Sequence, residues 1–151
     1  MRVDEGHIPV PGGNVWFRSV GEGGVPLLCL HGGPGAPSDY LKPLEQLADR
    51  RRVVFYDQLG CGNSDIPNDR SLWTVERFMD ELDAVRDALG LDRLHLFGSS
   101  WGGMLALQYV LDRTPTLRAT HLARLSARDA TTRYGYGLSG VQYGFTMKAA
   151  Y

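Results

Sequence analysis

Ser100 stands in "LHLFGSSWGGM", residues 94–104, between Gly98 and Gly102 in the spacing G-x-S-x-G. A serine hydroxyl attacks a carbonyl only when a base takes its proton and N–H donors hold the oxygen that becomes negative. The spacing alone is weak, but its context is strong, because an apolar run leads into it and a helix-forming run leads out. The predicted junction is a strand-to-helix turn so tight that the serine is strained and its flanking residues have no room for side chains. The hydroxyl then projects at a helix N-terminus, whose dipole favours developing negative charge.

One oxyanion donor in such an arrangement is the backbone N–H after the nucleophile, here Trp101. The other comes from a loop after an earlier strand, and "HGGPG", residues 31–35, is that loop. Gly33 is the expected donor, with Gly32 as the alternative. His31 precedes the serine on the strand end that carries this loop, so it is read as a structural histidine pinning its loop to backbone.

A base is harder to find. His7 lies in the N-terminal segment, read as preceding the sheet, and His95 in the strand below the elbow. The only histidine after Ser100 is His121, and the later acids are Asp112 and Asp129. At a helical rise of about 1.5 Å per residue, Asp112 sits roughly 18 Å from Ser100, too far to orient a base beside it. A set of Ser100, His121 and Asp129 would need the tail to double back. The four histidines and two cysteines, Cys29 and Cys61, show no metal-ligand spacing, so neither metal nor cofactor is expected.

The elements that must position these groups follow from the apolar pattern. Residues 25–30, 51–58 and 92–98 read as strands buried on both faces, and residues 15–21 as a strand reached through the turn "PGGN". Residues 39–49 space Tyr40, Leu41, Leu44 and Leu47 at helical intervals, and residues 101–113 read as the helix leaving the elbow. The clearest helix covers residues 73–89, with Val75, Phe78, Met79, Leu82, Val85 and Leu89 on one face and Gly90 as its left-handed stop. Strand–helix alternation predicts an α/β fold, a mostly parallel sheet with helices on both faces.

The 151 residues suffice for one compact domain, and a net charge of −1 excludes an electrostatic footprint for nucleic acid or an anionic membrane. Neither a membrane span nor a signal peptide is expected, and two cysteines without a disulfide framework suit the cytoplasm. The total charge conceals a break. Residues 1–113 carry 11 basic and 16 acidic side chains, residues 114–151 carry 5 and 1. Past Thr114 the alternation stops, leaving a short helix near residues 117–127 and no sustained period. Two units are therefore expected: a partial catalytic domain, 1–113, and an atypical basic tail, 114–151, frame-shifted or poorly ordered.

"HGGPG", "FYDQLGCGNSD" and "GSSWGGMLALQY", in this order and spacing, resemble the proline iminopeptidase (prolyl aminopeptidase) family of α/β-hydrolases. The resemblance covers residues 9–113, the N-terminal half of such an enzyme. It implies a serine aminopeptidase that releases N-terminal proline from peptides through an acyl-enzyme, with Ser100 as nucleophile and Gly33 and Trp101 as oxyanion donors. It also implies that residues 57–65 form a structural loop beside the site, and that the acid, the base, the cap and later strands lie downstream. Ser99 stands where these proteins often carry Gln. The chain alone is accordingly expected to be truncated and inactive, its "LHLF" strand left as an exposed apolar edge open to self-association. The alternatives are a non-catalytic fragment or remnant, or a different α/β-hydrolase such as an amidase or esterase.

Overall fold

The computed structural model describes residues 1–113 and 144–147. Its centre is one six-stranded sheet in the order β1-β2-β4-β3-β5-β6, formed by Val3–Val10, Gly13–Val20, Val53–Tyr56, Leu27–Leu30, His95–Ser99 and Gly144–Met147 respectively. β4, β3 and β5 run parallel, and the β1–β2 hairpin, the β2–β4 pair and the β5–β6 pair are antiparallel. The α/β class expected from the alternation is present, with the parallel strands confined to the middle of a mixed sheet.

Period-2 alternation divides the side chains of these strands between two cores. Leu28, Leu30, Val54, Tyr56 and Leu96 face the helices α1 (Val75–Leu89) and α2 (Trp101–Arg113), together with Phe78, Met79, Leu82, Leu105 and Tyr109. Leu27, Cys29, Val53 and Phe55 face the opposite way, against Leu41 and Ala48. Those last two belong to Ser38–Asp49, predicted as an α-helix and found as a run of tighter 3-10 turns. Pro43 lies inside it and removes the hydrogen bond and space an α-helical interior requires. Its predicted apolar face changes accordingly, and Tyr40 and Leu47 are each 41% exposed.

α1 begins and ends on sequence-encoded caps. The Thr74 hydroxyl accepts from the Arg77 N–H at 3.2 Å, and Gly90 closes the helix at φ 63°. On its inner face Arg77 and Glu81 are buried as an ion pair one turn apart, while Val75, assigned to that face, is 44% exposed. Arg113, the last residue of α2, reaches across to Glu76, Asp80 and Asp83 of α1 and ties the two helices together.

Two further expectations change. β1 puts His7 inside the sheet, where its Nε2 lies 3.1 Å from the Asn63 carbonyl oxygen. β1 escaped the pattern because only Ile8 of its eight residues is buried. The far side of β5 is not bare either: β6 pairs along it from Leu96↔Met147 to Ser99↔Gly144, so the "LHLF" strand is interior and not the open edge foreseen for self-association. The tail thus contributes four residues to the sheet, whereas the helix expected near residues 117–127 lies outside the described residues, as do His121 and Asp129.

Candidate active site

β5 delivers the chain to Ser100 and α2 carries it away. Ser100 sits at φ 52°, the one non-glycine among the described residues with a positive φ. That conformation costs an L-residue roughly 1–2 kcal/mol and persists only where its surroundings impose it. They do so by contact. A Cβ on Gly98 would lie 2.4 Å from the Gly102 carbonyl oxygen, and one on Gly102 would lie 2.1 Å from that of Leu30. Both glycines are therefore required by space, since strand and helix cross backbone to backbone at the turn. Ser100 itself is exposed, and its carbonyl accepts from Gly103 and Met104 as the helix begins.

The loop expected to supply an oxyanion donor reaches Ser100 through Gly32. Trp101 is the first residue of α2, so its N–H is one of the donors that a helix leaves unpaired. Gly32 approaches so closely that a Cβ on it would be 3.1 Å from the Cβ of Ser100. Gly33 adopts φ 119°, where a side chain would strike the Gly35 nitrogen at 2.1 Å. Its N–H makes no hydrogen bond among the described residues, whereas that of Gly32 donates to the Tyr40 hydroxyl at 2.7 Å. Of the two candidate loop donors, Gly33 is the unengaged one.

His31 is completely buried, and both its nitrogens are engaged. Nε2 accepts from the Gln58 backbone N–H at 2.8 Å, which leaves Nδ1 as the protonated nitrogen, donating to the Gly32 carbonyl at 2.8 Å. Burial depresses its pKa, so the imidazole is neutral. It pins its loop, as its position suggested. The side-chain amide of Gln58 completes the tie, donating to the His31 carbonyl at 3.0 Å and accepting from the Trp101 indole at 2.9 Å.

Gln58 and Tyr40 were not singled out from the sequence. Each matters through partners far along the chain, and the only local signal was the position of Gln58 in "FYDQLG".

The loop beside the site is held by Asp57. Its carboxylate accepts from the Ser38 N–H and hydroxyl and from the Asn63 N–H, and a Cβ on Gly62 would lie 2.1 Å from it. Farther round, the Glu81 carboxylate accepts from the Leu59 N–H. Phe78 meets Trp101 edge-on at 5.3 Å between ring centroids. Burial raises the thiol pKa of both cysteines, that of Cys61 to about 12, which rules them out as competing nucleophiles.

None of the three described histidines serves Ser100 as a base. His7 is engaged at Asn63, His31 is locked in its loop, and His95 Nδ1 lies 2.7 Å from an Arg51 nitrogen. Asp112 accepts from Gln108 one turn earlier on α2. A polar cleft of about 250 Å³, lined by Arg2, Asp4, Ser19, Glu22 and Arg52, lies at the opposite end of the parallel strands from Ser100. The serine stands at their C-terminal ends, where open α/β sheets bind their ligands.

Residues 25–134 match the family of the alpha/beta hydrolase fold. The chain is 47% identical over 121 residues to the proline iminopeptidase of Lactobacillus delbrueckii subsp. lactis, a match covering 76% of this chain and 41% of that one. Among solved structures, the proline iminopeptidase of Mycobacterium smegmatis superposes with a TM-score of 0.69 at 38% identity, over 75% of this chain and 40% of that one. A proline iminopeptidase-related protein from Thermus thermophilus gives 0.70 at 33% identity, over 74% and 41%. The chain thus spans about two-fifths of the length of the relatives it matches. The chain belongs to the α/β-hydrolase fold family, and within it is similar to proline iminopeptidases.

Proposed function

We propose that this chain carries the nucleophile and oxyanion half of a cytoplasmic serine hydrolase that releases N-terminal proline from peptides. The observation that supports it is the exposed Ser100 at φ 52°, with Trp101 opening the helix after it and Gly32, neighbour of Gly33 in the donor loop, packed against it. In this reading Ser100 attacks the carbonyl of the first residue, and the two N–H groups take the negative charge that develops on its oxygen. An acyl-enzyme forms as the amine leaves, and water then hydrolyses it. The described histidines are all engaged away from Ser100, so in this reading the base comes from outside the described residues. Two buried free cysteines suit a reducing cytoplasm.

A chimera tests this reading, with residues 1–113 joined to the downstream part of the Lactobacillus delbrueckii enzyme. Release of p-nitroaniline from proline p-nitroanilide that Ser100→Ala abolishes is the expected result. A folded chimera that fails to cleave, or that cleaves without Ser100, would overturn it.

One observation favours a second reading, a non-catalytic remnant. β6 occupies the side of β5 where the resemblance places further strands, so those strands could pair there only by displacing it.

A further inference from the structure

Tyr40 is half exposed on the 3-10 segment Ser38–Asp49, and its hydroxyl reaches Gly32, the loop residue packed against Ser100. The point where a Gly32 side chain would begin is 3.1 Å from the Ser100 Cβ and 3.3 Å from the Tyr40 hydroxyl oxygen. That oxygen already accepts from the Gly32 N–H at 2.7 Å. A phenol can accept and donate at once, and the Tyr40 O–H has no acceptor among the described residues. The Gly32 N–H polarises the phenol, and chains of this kind strengthen their terminal donor.

Resting on Ser100 as nucleophile, we infer that Tyr40 is a third oxyanion donor, and that the Gly32 N–H acts through it and not on the substrate. As the Ser100 Oγ–carbon bond forms, the carbonyl electron pair moves onto oxygen, which accepts from Tyr40 O–H as well as from Gly33 and Trp101 N–H. The serine proton passes to an imidazole base, and Tyr40 keeps its own proton throughout. When the tetrahedral species collapses, the C=O bond re-forms and the amine leaves with the proton returned from that base.

A thiol at position 100 tests this without the base, because a thiolate attacks unaided. Acylation of the Ser100→Cys variant by p-nitrophenyl acetate forms a C–S bond, expels p-nitrophenolate and passes through a tetrahedral oxyanion. Alkylation by iodoacetamide at the same atom develops no oxyanion. Cys29 and Cys61 are 0% and 4% exposed, so both reagents act at the introduced thiol.

Adding Tyr40→Phe is expected to slow acylation about 10- to 100-fold while leaving alkylation within about twofold. The effect falls below the roughly 10²–10³-fold of a fully buried oxyanion donor because Tyr40 is 41% exposed and water screens its surroundings. Equal acylation rates would overturn the inference, and so would a parallel fall in both rates, which would show a merely structural hydroxyl. Failure of the nucleophile reading appears elsewhere, as fluorophosphonate labelling of the unsubstituted chain that survives Ser100→Ala.

Discussion

Replacing Gly102 by alanine adds one methyl group at the most crowded backbone crossing near the site. That carbon would stand 2.1 Å from the Leu30 carbonyl oxygen and 2.6 Å from that of His31, whereas ordinary contact begins at 3.4 Å. Both obstacles are main chain at the end of β3, so no side-chain rotation relieves them, and α2 must withdraw by about 1 Å from a close-packed interior. Overpacking of this kind costs about 3 kcal/mol, while alanine's helix preference over glycine returns about 1 kcal/mol. The expected net loss is about 2 kcal/mol, a large part of the roughly 5–15 kcal/mol that holds a domain together. Urea unfolding followed by far-UV circular dichroism measures it. Gly35→Ala, whose added carbon would meet nothing within 4 Å, serves as the control and should stay within about 0.5 kcal/mol. Gly102→Ala unfolding within that same margin would refute the steric account of the turn.

The positive φ of Ser100 makes a second prediction. Ser100→Gly relieves the left-handed strain of about 1–2 kcal/mol at an unfolded-state entropy cost of about 0.5–1, and should exceed Ser100→Ala in stability by about 0.5–1 kcal/mol. Equal midpoints in urea would contradict it. His31 gives a pH dependence. Burial lowers its folded pKa, so below about pH 6.5 the unfolded chain takes up a proton that the folded chain resists, and stability falls as pH drops. Between about pH 7.5 and pH 5.5, His31→Gln should show a shallower loss in its urea midpoint than the parent chain; an equal loss would remove His31 as the cause. Arg113→Ala frees three carboxylates on α1 and should cost about 1 kcal/mol, less in high salt because the cluster is partly exposed. A salt-independent difference would mean that the arginine acts by packing and not by charge.

The parts of the molecule legible in sequence were those whose cause is local. β3 and β4 announce themselves as apolar runs, α1 by its period, its threonine cap and its terminal glycine, and the elbow by glycines that a backbone crossing demands. What escaped is set by partners far along the chain. β1 alternates little because most of it faces solvent, and β6 is held by main-chain pairing to a strand 45 or more residues earlier. Arg77 and Glu81 look like surface charges until their pairing one turn apart is seen to bury both. The roles of Tyr40 and Gln58 depend on a glycine, a histidine and a tryptophan brought to them only by the finished fold.

The proposed chemistry depends on the Ser100 hydroxyl as the reactive group. Incubating the full chain with a fluorophosphonate and mapping the adduct by peptide mass spectrometry addresses that directly. Oxyanion donors without a base still leave residual reactivity, roughly 10³-fold over water in serine hydrolases stripped of a triad member. Slow phosphonylation of Ser100 alone, absent in Ser100→Ala, is the predicted result. Adducts spread over other serines, or labelling undiminished by that substitution, would contradict it.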